Sequence, residues 1–379
     1  MDFRDNADEA KFRTEVRGFI ATEYKGNGEA AQSAAQAASS EGAEGMARYK
    51  QWMKKLAAKG WVAAAWPKEY GGAGMSIMEQ FIFNEELAIA RAPRPGGIGI
   101  TMAGPTIIVY GNDDQKREHL PPMLAGDSVW CQGFSEPGAG SDLASLQTKA
   151  TLDGDHFVVN GQKIWTSLAH NADWCVLLVR TDADAPKHKG ISYLLVDMTN
   201  RHAFNQIFFE DVRVPRDCLI GEMNRGWYVA AATLDFERSG INRVVAGVRV
   251  FEELVDFARE KKLSEGRPEV RTKLAELSIE LSTGRLLAYR VASMQQRGQI
   301  PNAEASMSKM YGSELQQRIA GAGMQIIGLA GQLETGRWAP LTGRLEQYYL
   351  TTSALTVAAG TTEIQKNIIA GRGLGLPRD

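Results

Sequence analysis

Short β-rich runs in the middle of the 379-residue chain lie between two stretches of long helical periodicity. These runs follow one another without helices between them: TKATLDGDHFVVNGQKIWTS, ADWCVLLVRTD, GISYLLVDMT and FNQIFFEDVRVP. Strands this short and this close, with Asp153-Gly154 and Asn160-Gly161 as hairpin-type turns, predict an antiparallel barrel or sandwich. A chain that places such a block between helical segments is restricted to an α+β fold.

The flanking segments carry apolar residues at helical spacing. In the first third, KFRTEVRGFIATEY and GMARYKQWMKKLAAKG show this pattern, and SIMEQFIFNEELAIARA predicts a helix with Ser76 as its N-cap. QKREHLPPMLAG predicts a short helix that is stopped by Pro121 and Pro122. Longer helical segments from Gly226 onward are typical of a bundle that presents a face to another subunit. The sequence therefore predicts an N-terminal all-α domain (1–127), a middle β-domain (128–225) and a C-terminal four-helix bundle (226–379).

Composition excludes several classes of function. The 43 basic and 45 acidic residues give a net charge of −2, which leaves no electrostatic footprint for nucleic acid or a membrane surface. The 3 cysteines are widely spaced, so we expect neither a disulfide framework nor a zinc site, and a reducing compartment is favoured. The N-terminal segment lacks the apolar core of a signal peptide. The long uncharged run of residues 95–112 is interrupted by Pro105, so we do not expect it to form a membrane-spanning helix. We therefore expect a cytoplasmic protein without metal, nucleic-acid partner or membrane insertion.

A glycine-rich segment, WCQGFSEPGAGSDLAS (130–145), is the strongest local candidate for a binding site. No GxGxxG, P-loop, HExxH, CxxC or GxSxG pattern occurs, so Rossmann binding and the common hydrolase mechanisms lack their motifs. Gly140 and Ser141 can present N–H groups and a hydroxyl to a phosphate, but an ordinary β-turn explains the same residues. Similarly, Trp165 and the hydroxyls after it suit either a flat heterocycle or a core indole with capping hydroxyls.

An ordered series of segments resembles the acyl-CoA dehydrogenase family over nearly the whole chain. The segments are WPKEYGGAG, FIFNEELA, YGNDDQKREHLPPMLAG, SEPGAGSD, GQKIWTS, FFEDVRVP, GEMNRGW, QIIG and GTTEIQKNIIAGRGLGLPR. SEPGAGSD followed by a Trp-hydroxyl motif is the most specific of them. The resemblance implies the helical–β–helical fold of this family, FAD as cofactor, and oxidation of an acyl-CoA thioester to the trans-2-enoyl-CoA. It also implies that electrons pass to an electron-transfer flavoprotein.

By matching position, the resemblance assigns residues to the flavin. In the middle domain, those along the ring, at its pyrophosphate or at its edge are Gln132, Phe134, Ser135, Gly140, Ser141, Trp165, Thr166 and Ser167. In the C-terminal domain, those that match family contacts to the dinucleotide are Gln325, Gly328, Thr361 and Glu363. The family usually makes the contacts of the first two across a subunit interface.

The resemblance places the catalytic base at Glu237. Many members carry the base in a Glu-Gly-Thr motif before the last helix, but here that position is Ala359, and alanine cannot accept a proton. A minority carry it in a Leu-Asp-x-Glu-Arg segment, which matches residues 234–238. Without the resemblance, Glu237 is simply one of 45 acidic residues. The residues implied at the substrate are Asp235, Arg238, Ala359 and Gly360, with the Ala359 N–H and a flavin ribityl hydroxyl as donors to the thioester oxygen.

Two departures from the common family pattern concern the subunit interface. AREKKLSEGRPEVRTKLAEL keeps Arg259 but lacks the Phe-Gly of many members, and QIIGLAGQLETG has Leu329 and Gln332 where glycine and an aromatic residue are common. Such departures resemble a branch in which two different subunits form an α2β2 heterotetramer that acts on bulky steroid or ring-bearing CoA esters. A homotetramer or dimer, a non-catalytic partner subunit, and an oxidase or nitroalkane-type flavoenzyme are the alternatives. Intact SEPGAGSD and IWTS favour a catalytic chain.

Overall fold

A computed structural model describes residues 5–24, 42–90, 92–167, 169–198, 206–236 and 241–377. The chain forms two compact units. The helical unit comprises the described parts of residues 1–22, 76–92 and 238–379, and the sheet unit comprises those of residues 23–75 and 93–237. Each unit is therefore built from separated stretches of the sequence.

The elements are as follows in chain order. The helices are α1 (Ala7–Glu23), α2 (Gly42–Ala58), α3 (Ile77–Ile89), α4 (Gly104–Tyr110), α5 (Asp113–Ala125), α6 (Gly226–Phe236), α7 (Ile241–Glu260), α8 (Pro268–Gln296), α9 (Asn302–Ile327), α10 (Arg344–Leu355) and α11 (Thr362–Ile368). The strands are β1 (Trp130–Gly133), β2 (Lys149–Asp153), β3 (His156–Ile164), β4 (Trp174–Arg180), β5 (Ile191–Asp197), β6 (Gln206–Pro215) and β7 (Leu219–Ile220).

The helical unit is a bundle around α9, which packs against α7, α8 and α10. Its centre is apolar and buried, with Leu277 of α8 and Leu315 and Ile319 of α9 in one cluster. The neighbouring helices approach closely because small residues lie between them: a Cβ at Gly323 would be 2.8 Å from Leu345 Cδ1. The helical bundle predicted for the C-terminal part of the chain is confirmed.

Helix α3 also belongs to the helical unit, and its start agrees with the sequence. Ser76 caps it and forms a capping box with Glu79, as the N-cap pattern predicts. Further along α3, the buried carboxylates of Glu85 and Glu86 accept from Arg13 of α1 at 2.7 and 2.6 Å. Glu85 also accepts from Arg285 of α8 at 2.6 Å. Ion pairs therefore connect α1, α3 and α8, because buried carboxylates require cationic partners.

The sheet unit contains a 7-stranded sheet in the order β6-β3-β2-β4-β5-β7, with β1 added alongside β4. Pairing is antiparallel for β2–β3, β3–β6, β4–β5 and β5–β7. It is parallel for β1–β4 and at the single Lys149–Arg180 pair of β2–β4. The α+β class and the middle β-domain are confirmed, whereas the parallel pairs depart from the fully antiparallel arrangement that the closely spaced strands predict.

Both faces of β4 and β5 are buried, which explains their continuous apolar sequences. On one face, Val176, Leu178 and Tyr193 pack with residues of the helices α4, α5 and α6. On the other face, alternate residues of the same strands pack against Phe157 of β3 and Phe209 of β6. Strands β3 and β6 therefore pack on one face of β4 and β5, as in a sandwich, and helices cover the other face.

A π-helix (Gly99–Ala103) runs directly into α4 in the sheet unit. Its backbone receives the Nε1–H of buried Trp66, which donates to the Ile100 carbonyl at 2.9 Å. Helix α5 follows and continues through Pro121 and Pro122, so the prediction that these prolines stop it is wrong. The Asn112–Gln115 capping box and the left-handed Gly126 hold the two ends of α5, and buried Leu120 and Met123 anchor its last turns. No helix in the described part of the chain has the length and apolar character needed to cross a bilayer.

We predict that Gly104→Ala destabilises the sheet unit, because the new Cβ would lie 1.9 Å from Trp66 Cζ2 in a packed core. Overpacking of this kind typically costs about 1–3 kcal/mol. The matched control is Gly18→Ala in α1, where a Cβ meets nothing within 4 Å. That change should stabilise the protein by about 0.5–1 kcal/mol, since alanine is the better helix former. Thermal unfolding checks both, and a Gly104→Ala midpoint at or above the wild-type value contradicts the packing argument.

Candidate active site

Two segments that carry predicted site residues lie side by side in the sheet unit. One is the loop that follows β1 (residues 134–142), and the other is the end of β3 with the residues after it (164–167). The Ile164 N–H donates to the Ser135 carbonyl at 2.9 Å, which joins the two segments directly. Glu136 and Ala139 exchange backbone hydrogen bonds of 2.9 and 3.0 Å, so the loop folds into a compact turn.

A buried ion pair lies beneath these two segments. Lys163 of β3 is 0% exposed, and its Nζ donates to Glu136 Oε1 at 2.7 Å and to the Phe134 carbonyl at 3.0 Å. The Glu136 carboxylate also accepts from the N–H groups of Gln147 at 2.7 Å and Thr148 at 2.9 Å. One lysine therefore fixes both the backbone and the side chain of the loop relative to β3.

The protonation of Glu136 follows from these partners. Burial alone would raise the pKa of the Glu136 carboxyl, since it disfavours the charged form. The charge of Lys163 and the hydrogen bonds from Lys163, Thr148 and Gln147 outweigh burial and hold the pKa below its usual value. Glu136 is therefore a carboxylate at neutral pH. Burial lowers the pKa of Lys163, but the charge of Glu136 and its hydrogen bond favour the ammonium form, so we treat the pair as ionic.

The predicted ring-facing residues, Trp165 and the two hydroxyl residues after it, differ sharply in exposure. The Trp165 side chain is 78% exposed, on a backbone with φ of 61°, a conformation that residues with a Cβ rarely adopt. Thr166 is 0% exposed, and its Oγ1 has no hydrogen-bond partner among the residues that the structure describes. Ser167 is exposed. An open indole therefore adjoins a buried hydroxyl with unused hydrogen-bonding capacity.

On the β1 side, the predicted residues divide between the core and the surface. Phe134 is buried, with its ring edge-to-face on Tyr193 at 5.9 Å, so its side chain belongs to the core. Gln132 and Ser135 are partly buried. Gly140 and Ser141 are exposed, and a Cβ at Gly140 would meet nothing within 4 Å, so a ligand can reach this part of the backbone.

The other predicted cofactor residues lie in the helical unit. Gln325 is exposed near the end of α9, and Gly328 ends that helix with φ of 77°. Thr361 is the N-cap of α11, where its Oγ1 accepts from the Ile364 N–H at 3.3 Å. Glu363 is exposed in the first turn of the same helix.

The predicted substrate residues are only partly described. Ala359 and Gly360 form a left-handed turn before α11, with φ of 55° and 86°. Asp235 lies in α6, of which only the backbone is described at that position. Glu237 and Arg238 lie outside the described residues. The assignment of Glu237 as the base is therefore still a prediction.

Lys163 and Glu136 are not among the residues predicted from the sequence, although β3 carries a signal for them. Alternation along β3 places Lys163 at the same parity as the buried Phe157 and Val159, so it faces inward. Lysine is almost never fully buried unless paired, so the pattern asks for an acidic partner. Gly133 of β1 leaves room for Leu177, since a Cβ there would be 2.9 Å from Leu177 Cδ1, and the Lys163 stem lies beside it with Cγ 3.4 Å from that position.

Comparisons with known proteins match this chain to acyl-CoA dehydrogenases over nearly its whole length. Family models described as acyl-CoA dehydrogenase N-terminal, middle and C-terminal domains match residues 6–127, 131–212 and 224–374. The chain is 37% identical over 392 aligned positions to acyl-CoA dehydrogenase IpdE1 of Mycobacterium tuberculosis, covering 98% of this chain and 99% of that one. The solved structure "Tcur3481-Tcur3483 steroid ACAD" matches with a TM-score of 0.87 at 34% identity, covering 100% of both chains. The ChsE4-ChsE5 complex from Mycobacterium tuberculosis matches with a TM-score of 0.86 at 36% identity, again covering 100% of both chains.

Lys163→Met should lower the free energy of unfolding by about 3–5 kcal/mol, because it leaves the Glu136 carboxylate buried without a counter-charge. Burial would then raise the pKa of Glu136, so the loss is largest at neutral pH and shrinks as the pH falls and the carboxyl is protonated. Denaturant unfolding at pH 7 and pH 5 measures both effects. The double variant Lys163→Met/Glu136→Gln is the control and should recover most of the loss. A single variant as stable as the wild type at pH 7 would show that the pair is not ionic.

Proposed function

The chain belongs to the acyl-CoA dehydrogenase family, whose members are flavin-dependent oxidoreductases of the CH–CH bond, and we propose that it binds FAD and uses Glu237 as its base. The reaction is dehydrogenation of an acyl-CoA thioester to the trans-2-enoyl-CoA, with electrons passed to an electron-transfer flavoprotein. One observation carries the FAD assignment: the exposed indole of Trp165 directly precedes Thr166, whose buried hydroxyl has no hydrogen-bond partner among the described residues.

The chemistry of this surface supports a flat polar ring. A buried hydroxyl without a partner costs about 1–3 kcal/mol, and a hydrogen bond to a ring nitrogen or carbonyl would remove that cost. The exposed face of Trp165 offers the apolar area on which such a ring packs. At Gly140 and Ser141, open backbone supports the approach of a pyrophosphate.

The proposed roles of the residues follow from the reaction. Bound FAD would supply the acceptor for the hydride that leaves the β-carbon. Glu237 would take the α-proton, so that the Cα–Cβ single bond becomes a double bond. The Ala359 N–H would donate to the thioester oxygen and stabilise the negative charge that develops there as the proton leaves. Thr166 and Ser167 would hold the edge of the ring, while Lys163 and Glu136 keep their segment in place.

We propose further that the chain is one of two different subunits in an assembly. We also propose that the acyl group of its CoA substrate carries a steroid or another ring system. Two similar solved structures are described as a steroid ACAD of two named components and as the ChsE4-ChsE5 complex. Large apolar side chains are exposed after α9, with Leu329 at 86% and Trp338 at 71%. Exposed apolar area of this kind supports a protein interface, here next to Gln325 and Gly328.

We also propose that the protein works in a reducing compartment such as the cytoplasm. All 3 cysteines are free thiols. Cys131 and Cys175 are directly opposite on β1 and β4, fully buried, and form no disulfide. Free thiols that lie this close are favoured where glutathione and thioredoxin keep them reduced.

Anaerobic reduction by a panel of acyl-CoA thioesters tests the function. The protein is produced alone and together with candidate partner chains, and the flavin absorbance is followed with short, branched, aromatic and steroid acyl groups. We expect bleaching by ring-bearing esters and slow reoxidation by oxygen, since the proposed acceptor is a flavoprotein. A protein that is colourless alone and yellow only with a partner would indicate a non-catalytic partner subunit instead. Fast turnover with oxygen would indicate an oxidase.

Glu237→Gln should lower the rate of flavin reduction by about 10²–10⁴-fold, the usual effect of removing a general base. FAD content should stay unchanged, because the amide has nearly the same shape as the carboxylate. The matched control is Glu222→Gln, an exposed carboxylate in the turn before α6. Stopped-flow reduction measures both variants. Full activity of Glu237→Gln on the preferred thioester would eliminate this residue as the base.

Thr166→Val should weaken FAD binding by about 5–10-fold, which corresponds to one hydrogen bond of about 1–1.5 kcal/mol. The apoprotein should be no less stable than the wild type, because the Thr166 hydroxyl has no partner to lose among the described residues. Fluorescence titration of apoprotein with FAD and thermal unfolding without FAD check the two statements. If the apoprotein loses stability while FAD affinity is unchanged, the hydroxyl serves the fold rather than the flavin.

A further inference from the structure

Lys309, near the start of α9, is a buried cation that takes no part in the proposed proton and hydride transfers. It is 6% exposed, and its Nζ donates to the Gly360 carbonyl at 2.7 Å and to the Leu355 carbonyl at 3.2 Å. Leu355 is the last residue of α10, so the ammonium also offsets the negative end of that helix. Lys309 therefore holds the turn of residues 356–360 at both of its ends.

This turn contains a conformation that alanine disfavours. Ala359 has φ of 55°, and the left-handed region costs a residue with a Cβ about 1–2 kcal/mol. A second anchor comes from α11, where Gln365 Nε2 lies 3.3 Å from the carbonyl oxygens of Ala359 and Gly360. A Cβ at Gly360 would lie 2.6 Å from that same nitrogen, so the anchor requires glycine there. The surrounding contacts must therefore hold Ala359 in its conformation.

The left-handed turn leaves a backbone donor unused. The N–H groups of Val357 and Ala358 both donate to the Ala354 carbonyl, at 3.1 and 2.9 Å. For the N–H of Ala359, the next residue, no acceptor occurs within the ranges that the structure describes. Ala359 is also exposed, so the donor is accessible to a ligand.

We propose that Lys309 is a positioning residue that fixes the Ala359 N–H as the donor to the substrate thioester oxygen. This inference rests on the proposed function, which supplies the thioester. A donor to a developing oxyanion acts only at hydrogen-bond distance from that oxygen. A misplacement of about 1 Å can lower the rate about 10²-fold. Lys309 touches neither the substrate nor FAD in this scheme, and it acts only through the turn.

The test compares Lys309→Met with Lys309→Arg and with Ser313→Ala. Methionine keeps the apolar stem and removes the charge, whereas arginine keeps the charge. Ser313 lies one turn along α9 and is also buried, but its hydroxyl donates within the helix, to the Lys309 carbonyl at 2.9 Å. Ser313→Ala therefore controls for a general loss of helix stability. Each variant is prepared as the FAD-loaded protein, together with a partner chain if the wild type requires one.

Two measurements use the panel thioester that reduces the wild-type flavin fastest. In Lys309→Met we expect kcat to fall about 10–100-fold while KM changes little, because the donor acts mainly on the charged state of the oxygen. The infrared stretch of a ¹³C-labelled thioester carbonyl should shift towards its value in free solution. Lys309→Arg should restore part of both signals, and Ser313→Ala should match the wild type. Gln365→Met, which removes the second anchor, should change both signals in the same direction as Lys309→Met.

Three results would overturn the inference. They are an unchanged kcat in Lys309→Met, a lower kcat without a carbonyl shift, and equal effects in Ser313→Ala. If Lys309→Met does not fold, wild-type values for both signals in Gln365→Met would overturn it. If no thioester reduces the wild type, the proposed function fails instead, and hydrogen exchange still tests the anchoring. Lys309→Met should then speed exchange at residues 356–361 about 10-fold or more, and unchanged exchange would refute the anchoring itself.

Discussion

The ion pair between Lys163 and Glu136 is the interaction on which the candidate site depends. Two charges inside a protein core are tolerated only when they are paired and their remaining hydrogen-bonding positions are filled. Here Lys163 binds the Glu136 carboxylate and the Phe134 carbonyl, and two backbone N–H groups complete the carboxylate. Because Lys163 is two residues before Trp165, this requirement sets where the loop after β1 lies relative to the proposed ring-binding residues.

Other predicted site residues have features that cost stability. The Thr166 hydroxyl is buried without a partner in the described chain, and both Trp165 and Ala359 adopt left-handed backbone conformations. Such features persist only when the surroundings hold them, and they cluster at functional sites. In the sheet unit the support comes from Lys163, and in the helical unit it comes from Lys309. In each unit a buried lysine thus binds main-chain carbonyls and holds strained backbone next to predicted site residues.

Much of this structure follows from the sequence, but the decisive contacts do not. Short β-rich runs between segments of helical periodicity predict the helical–β–helical order, and Ser76 marks the start of its helix because capping is a local interaction. Local rules fail at Pro121, where buried Leu120 and Met123 continue the helix, and at the parallel β1–β4 pair, which joins distant segments. Lysine is usually exposed. The burial of Lys163 and Lys309 is explained only by the partners that the fold brings next to them. The predicted domain boundaries and the role of Glu237 stay predictions.

The central claim is that Trp165 and Thr166, in the segment that Lys163 and Glu136 hold in place, bind the flavin ring. An experimental structure of the FAD-loaded protein tests it. We predict that Thr166 Oγ1 lies within hydrogen-bond distance, about 2.7–3.2 Å, of a polar atom of the isoalloxazine. The Trp165 ring should pack beside the flavin, and Lys163 should keep its bonds to Glu136 and Phe134. A flavin bound away from Trp165, with the Thr166 hydroxyl still unpartnered, would contradict the claim.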